Sequence, residues 1–145
     1  VGRPTGGELA FRVVEDYAST ARLVEALADE YHFQAIYIWQ PTVYSTTKPL
    51  AAYEKYLMGE IDADPYQATL KAVHTLITQS IDSAMADVAP QRFLNLSALF
   101  ASDTAARFVD TIGHTTEEAN GPIVEAMLPA LKSALSHQAS LHRRP

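Results

Sequence analysis

Gln34-Ala35-Ile36-Tyr37-Ile38-Trp39 limits the possible folds of this chain more than any other stretch. Its residues are mostly β-branched or aromatic, and side chains alternate across a strand, so a strand built from them is apolar on both faces. Such a strand belongs inside a parallel sheet with cover on each side. Gln40-Pro41 closes it. Phe93-Leu94-Asn95-Leu96 reads as a second short strand.

Long segments of helical period flank these two runs. From Glu8 to Tyr31, Val14, Tyr17, Ala21, Val24, Leu27, Ala28 and Tyr31 recur at three- and four-residue steps, predicting one long helix with that face buried. A second helix begins with Asp64 as cap and Pro65 at its first position, where the missing N–H costs nothing. Its expected stripe is Leu70, Val73, Ile77, Ile81, Ala84 and Val88, and Pro90 stops it. The last helix starts near Thr116 or near Asn120, with Val124, Met127, Leu128, Leu131 and Leu135 expected inward and a kink at Pro129. Val1–Gly7 reads as a lead-in and Ala139–Pro145 as a fraying tail.

Residues 41–64 form a long connection with a short helical piece around Ala51 to Met58. A connection of that length in a compact domain is more often functional than idle. Tyr44, Tyr53 and Tyr56 either line a pocket wall there or anchor the loop to the core.

The order helix, strand, helix, strand, helix predicts an α/β fold with right-handed crossovers. Two short strands nevertheless make a sheet too narrow for three long helices, and at least one edge would carry unpaired backbone groups. The expectation is therefore that residues 1–145 are the C-terminal part of a larger doubly wound domain, and that Val1 is not a native N-terminus.

Charge and composition exclude several classes of function. A formal charge of −6 offers no basic stripe for nucleic acid, and His142-Arg143-Arg144 reads as a tail. With no cysteine, disulfides and thiolate zinc sites are excluded. No apolar run reaches the roughly 20 residues of a membrane helix. His74 reads as a helix boundary residue, His32 as a helix cap, and His137 and His142 lie near the tail, none at metal-ligand spacing. Asp62 and Asp64 lack the rest of a calcium loop. No metal or organic cofactor is expected, and the compartment is left open.

The candidate site is Phe108 to Asn120. Asp110 is followed by a short loop and His114, and Thr115 with Glu118 has the spacing of a helix capping box. A histidine there sits at a helix threshold with an acid close by, a suitable place for a general base. The commonplace alternative is a solvated polar pair.

Three blocks give the chain a resemblance to the C-terminal half of the SGNH/GDSL hydrolases, serine ester hydrolases with a flavodoxin-like α/β/α sandwich. Trp39-Gln40-Pro41 with Lys48-Pro49-Leu50 and Glu54 is similar to a Gln-Pro segment followed by Lys-Pro-Leu-x-x-x-Glu in one branch of that family. Phe93 to Phe100 resembles its Phe-Leu-Asp-Leu-Ser-x-x-Phe strand end, and Phe108 to Asn120 its final Asp and His ahead of Thr-x-Glu-Gly-Asn. The resemblance implies a three-layer α/β/α sandwich, here with about two parallel strands and three to four helices. It implies that His114 takes the proton from an attacking serine hydroxyl and returns it to the leaving alcohol, while Asp110 holds the ring in the right tautomer. The family spaces Asp and His by two residues; Thr111, Ile112 and Gly113 make three here, which a bulge at Gly113 would absorb.

The family's nucleophile lies in Gly-Asp-Ser, and no serine here follows Gly-Asp. Ser45, Ser97 and Ser102 read as turn residues. The expectation is the His/Asp-bearing portion of an acyl or acetyl esterase, inactive alone, whose substrate is a small-molecule or carbohydrate ester and whose sheet edge takes the missing half or a partner chain. Gln40, at the carboxyl end of a parallel strand, is expected to touch substrate. The alternative is a non-catalytic α/β interaction module or assembly subunit.

Overall fold

A computed structural model describes residues 4–141. Its elements are α1 (Gly6–Tyr31), β1 (Tyr37–Trp39), α2 (Ala52–Ala63), α3 (Pro65–Met85), β2 (Phe93–Asn95), a 3₁₀ turn (Glu117–Ala119) and α4 (Asn120–Leu141). The strands pair in parallel, with Tyr37 opposite Phe93, Ile38 opposite Leu94 and Trp39 opposite Asn95. The chain is thus a small α/β/α domain built on two parallel strands. Both strands are shorter than the sequence pattern predicts, because ladder membership needs a partner and only three residues of each find one.

α1 begins two residues early. Thr5 and Glu8 form a capping box, with Glu8 N–H donating to Thr5 Oγ1 at 3.2 Å and Thr5 N–H to Glu8 Oε2 at 2.7 Å. His32 ends the helix in the left-handed conformation, the cap expected of it. Asp64 caps α3 by accepting from Tyr66 and Gln67 N–H groups.

Strand alternation sorts the core. Tyr37, Trp39 and Phe93 project toward α1 and α3, whose Ala10, Val14, Ala18 and Ala21 pack against Val73, Ile77, Ile81 and Met85. Ile38 projects the other way, toward Ile123 and Met127 of α4. A second cluster of Val43, Tyr44, Leu57, Ile61, Phe100, Phe108 and Ala119 binds the 41–64 connection to the segment that carries the candidate site.

The expected face of α1 is buried or half-buried at Val14, Tyr17, Ala21, Val24 and Ala28 but departs from expectation at its end, and that of α4 departs more widely. On α1, Leu27 and Tyr31 are exposed, and the buried stripe consists mainly of alanines, which let α3 approach closely. On α4, Val124, Leu128, Leu131 and Leu135 are exposed, Leu135 by 69%. The half-buried stripe is Ile123, Met127, Ala130 and Ala134. α4 is apolar nearly all round, so periodicity marks it as a helix but cannot select the side that meets the sheet. α4 continues through Pro129 and through Ala139–Leu141, where fraying was expected; residues 142–145 lie outside the described residues.

Candidate functional site

The loop carrying Asp110 and His114 is a closed turn. Val109 N–H donates to the His114 carbonyl at 3.0 Å, Thr116 N–H to the Arg107 carbonyl at 2.8 Å, and Phe108 and Thr115 form an antiparallel bridge. Within it Asp110 Oδ1 accepts from the N–H groups of Ile112 (2.9 Å), Gly113 (2.9 Å) and His114 (3.1 Å). Asp110 Oδ2 lies 2.5 Å from His114 Nδ1. The chain can fold back this tightly because Gly113 adopts φ 101°, a conformation that a side chain would strain. The third residue between Asp and His is absorbed there, and a Cβ at Gly113 would stand 3.4 Å from Thr42 Cβ.

Burial works against the Asp110 carboxylate, but hydrogen bonds from the His114 ring and from the His114, Ile112 and Gly113 N–H groups outweigh it and hold its pKa below the ordinary value. The side chains of His114 and Asp110 are 69% and 35% exposed, so this pair orients the ring more than it stabilises the fold. With Nδ1 engaged, Nε2 is the nitrogen left to act on a reactant.

His114 lines a cleft of about 370 Å³ together with Gln40, which follows β1, and Leu96, which follows β2. The imidazole therefore sits off the carboxyl ends of both strands, where parallel sheets bind ligands. Gln40 is exposed at that mouth. The capping box expected of Thr115 and Glu118 does not form. Thr116 takes the cap position of the 3₁₀ turn without a side-chain bond, because Thr115 is held in the bridge with Phe108.

The 41–64 connection grips this loop. Tyr53 donates to the Val109 carbonyl at 2.9 Å, and the Tyr44 hydroxyl donates to the Thr111 carbonyl. Both tyrosines are anchors, the second of the two roles open to them. Tyr44 titrates above its usual range, first because it is buried and then because the Asp110 charge lies near.

Glu54 is the deeper anchor. Its side chain and that of Lys48 are wholly buried and form an ion pair. Glu54 Oε2 also accepts from Ala51 N–H at 2.9 Å, and Oε1 accepts from Arg107 at 2.7 Å and Phe108 at 3.2 Å. Burial opposes ionisation of Glu54, but the Lys48 ammonium and the Arg107 and Ala51 N–H groups prevail and lower its pKa. Arg107 in turn bonds Asp103 at 2.6 Å and the Glu118 carbonyl at 2.9 Å. In the sequence Lys48 and Glu54 stand out only by their spacing; the contacts Glu54 makes with Arg107 and Phe108, more than fifty residues away, have no local signature.

Ser97 is buried next to β2, its N–H on Asn95 Oδ1 at 3.1 Å, and Ser45 Oγ lies 3.2 Å from Thr42 Oγ1. The His74 ring lies against Tyr44, tilted by 32° with ring centroids 5.0 Å apart, and burial lowers its pKa. Among the described residues there is no group of three or more His, Asp or Glu side chains placed to hold a metal, and no helix is long and apolar enough to cross a membrane. Comparison with known proteins adds no family: no family model matches this sequence, and no curated protein or solved structure is significantly similar to it.

Proposed function

We propose that this chain is the His/Asp-bearing C-terminal portion of a serine ester hydrolase of SGNH/GDSL type. The supporting observation is the Asp110–His114 contact of 2.5 Å at the carboxyl edge of the parallel strands. In the reaction, His114 Nε2 takes the proton of a serine hydroxyl as it attacks the ester carbonyl. It then delivers that proton to the leaving alcohol, while Asp110 fixes the tautomer. The serine and the oxyanion donors come from outside this chain, which has no Gly-Asp-Ser. The test joins the chain to a Gly-Asp-Ser-bearing half and follows p-nitrophenyl acetate turnover. His114→Ala should lower kcat by a factor on the order of 10⁴–10⁶, and retained turnover refutes the assignment.

A second reading, a non-catalytic α/β interaction module, accords more fully with what the chain holds by itself, since it requires no residue from elsewhere. Its support is a two-stranded sheet and the exposed apolar stripe of α4. Sedimentation separates the two. A monodisperse, folded monomer favours the independent module, whereas aggregation or dependence on a second polypeptide favours the severed half.

A further inference from the structure

The cleft beside His114 is lined by aliphatic side chains together with Gln40, Gly113, His114 and Thr115. Ile38 comes from β1, Pro41 from the turn after it, Leu96 from the end of β2, and Ile123 and Met127 from adjacent turns of α4. Among the residues that line it, His114 is the sole ionisable one, while Gln40 and Thr115 add an amide and a hydroxyl. Hydroxyls of a ligand lying against the aliphatic part of this slot would be left without partners, which is unfavourable. A hydrocarbon chain meets no such penalty and removes the apolar walls from water. The volume of about 370 Å³ lies at the small end of ligand sites. At roughly 30 Å³ for a group the size of water, it holds on the order of ten carbon-sized groups.

We propose that this slot receives the acyl chain of the ester, an unbranched aliphatic chain of medium length, with its carbonyl at the mouth beside His114 Nε2. The proposal rests on the assignment of Asp110 and His114 as the acid/base pair and narrows its substrate from acyl or acetyl esters in general to those with a hydrocarbon tail. Gln40 lines the same cleft and is assigned the role of donating its amide N–H to the ester oxygen.

The test uses the 145-residue chain itself, which lacks the nucleophile and so leaves esters intact. Methyl acetate, methyl butanoate and methyl hexanoate are titrated while the methyl signals of Ile38, Leu96, Ile123 and Met127 are followed by NMR. Affinity should rise roughly fourfold per added methylene as apolar surface is buried, with shifts confined to those methyls. A flat series, shifts centred on another face, or equal binding by a peracetylated sugar overturns the proposal.

Met127→Trp, which fills the slot, should reduce methyl butanoate and methyl hexanoate to the affinity of methyl acetate; the wild-type shift map decides the matter if this variant does not fold. His114→Ala should keep the chain-length slope and weaken all three esters by a common factor. Unchanged affinities overturn the placement of the carbonyl. Turnover of p-nitrophenyl acetate, which has no tail to bury, tests the acid/base pair separately, so the slot and the pair fail independently.

Discussion

Removing Glu54 should cost far more than removing Lys48, although the two form one ion pair. Glu54→Ala leaves the Lys48 ammonium buried with the Pro49 carbonyl, 2.9 Å away, as its remaining partner. It also strips the acceptor from three backbone N–H groups, those of Ala51, Arg107 and Phe108. Breaking a buried pair from one side costs about 3–5 kcal/mol, and each orphaned buried N–H about 1–3 kcal/mol more where water cannot reach it. A loss of about 5 kcal/mol is expected, allowing for water entering the vacated space. Lys48→Met instead leaves a carboxylate that keeps all three N–H donors, and a loss of about 2 kcal/mol is expected. Urea denaturation of both variants measures the difference. At about 2–4 °C per kcal/mol for a chain near this size, the melting temperatures should differ by roughly 6–12 °C. Amide exchange at Arg107 and Phe108 should accelerate in Glu54→Ala and hold in Lys48→Met. Equal losses, or a larger one for Lys48→Met, would show that the ion pair rather than the backbone bonds holds the site loop, refuting the reasoning.

Asp110 has a lowered pKa, so its contribution is present above the unfolded carboxylate value and is lost as pH falls through the lower folded one. Amide protection at Ile112 and Gly113 should persist at neutral pH and fall only in acid below the ordinary Asp range; loss already near pH 6 would contradict the bonding described. Gly113→Ala forces a side chain into φ 101° against Thr42 and should destabilise the chain by about 1–3 kcal/mol, read by thermal unfolding. Ala18→Leu, at a wholly buried position facing α3, should cost about 1–3 kcal/mol through overpacking, read from the urea midpoint. Leu135→Lys lies on the exposed stripe of α4 and should change stability by less than about 0.5 kcal/mol. If that stripe drives association, sedimentation of the same variant will show a smaller particle.

The order of elements, the Asp64 cap and the helical period of α1, α3 and α4 were legible because each is encoded within a few consecutive residues. The pairing of Asp110 with His114 was legible for the same reason: one turn separates them. The buried face of α1 was legible at Val14, Tyr17, Ala21, Val24 and Ala28 but not at Leu27 and Tyr31, and the orientation of α4 was not, because it carries apolar residues on more than one side. Which side is buried depends on what the neighbouring layer offers, here Ile77 and Ile81 for the alanines of α1 and Ile38 for Ile123 and Met127. The Thr5–Glu8 capping box could have been read from its spacing, as could the earlier start of α1.

Sequence alone therefore determined the kinds of element and their order, which follow from local sterics and periodicity, and singled out Asp110 and His114 through their closeness in the chain and a resemblance of the surrounding block. Tertiary structure alone decided that Glu54 binds Arg107 and Phe108, that Tyr44 and Tyr53 hold the loop, and that Gln40, Leu96 and His114 share one cleft. The hydrogen bonds among them join residues up to 67 positions apart. They exist because two strands pair in parallel and bring their carboxyl ends together, an outcome of packing that no short window of sequence contains.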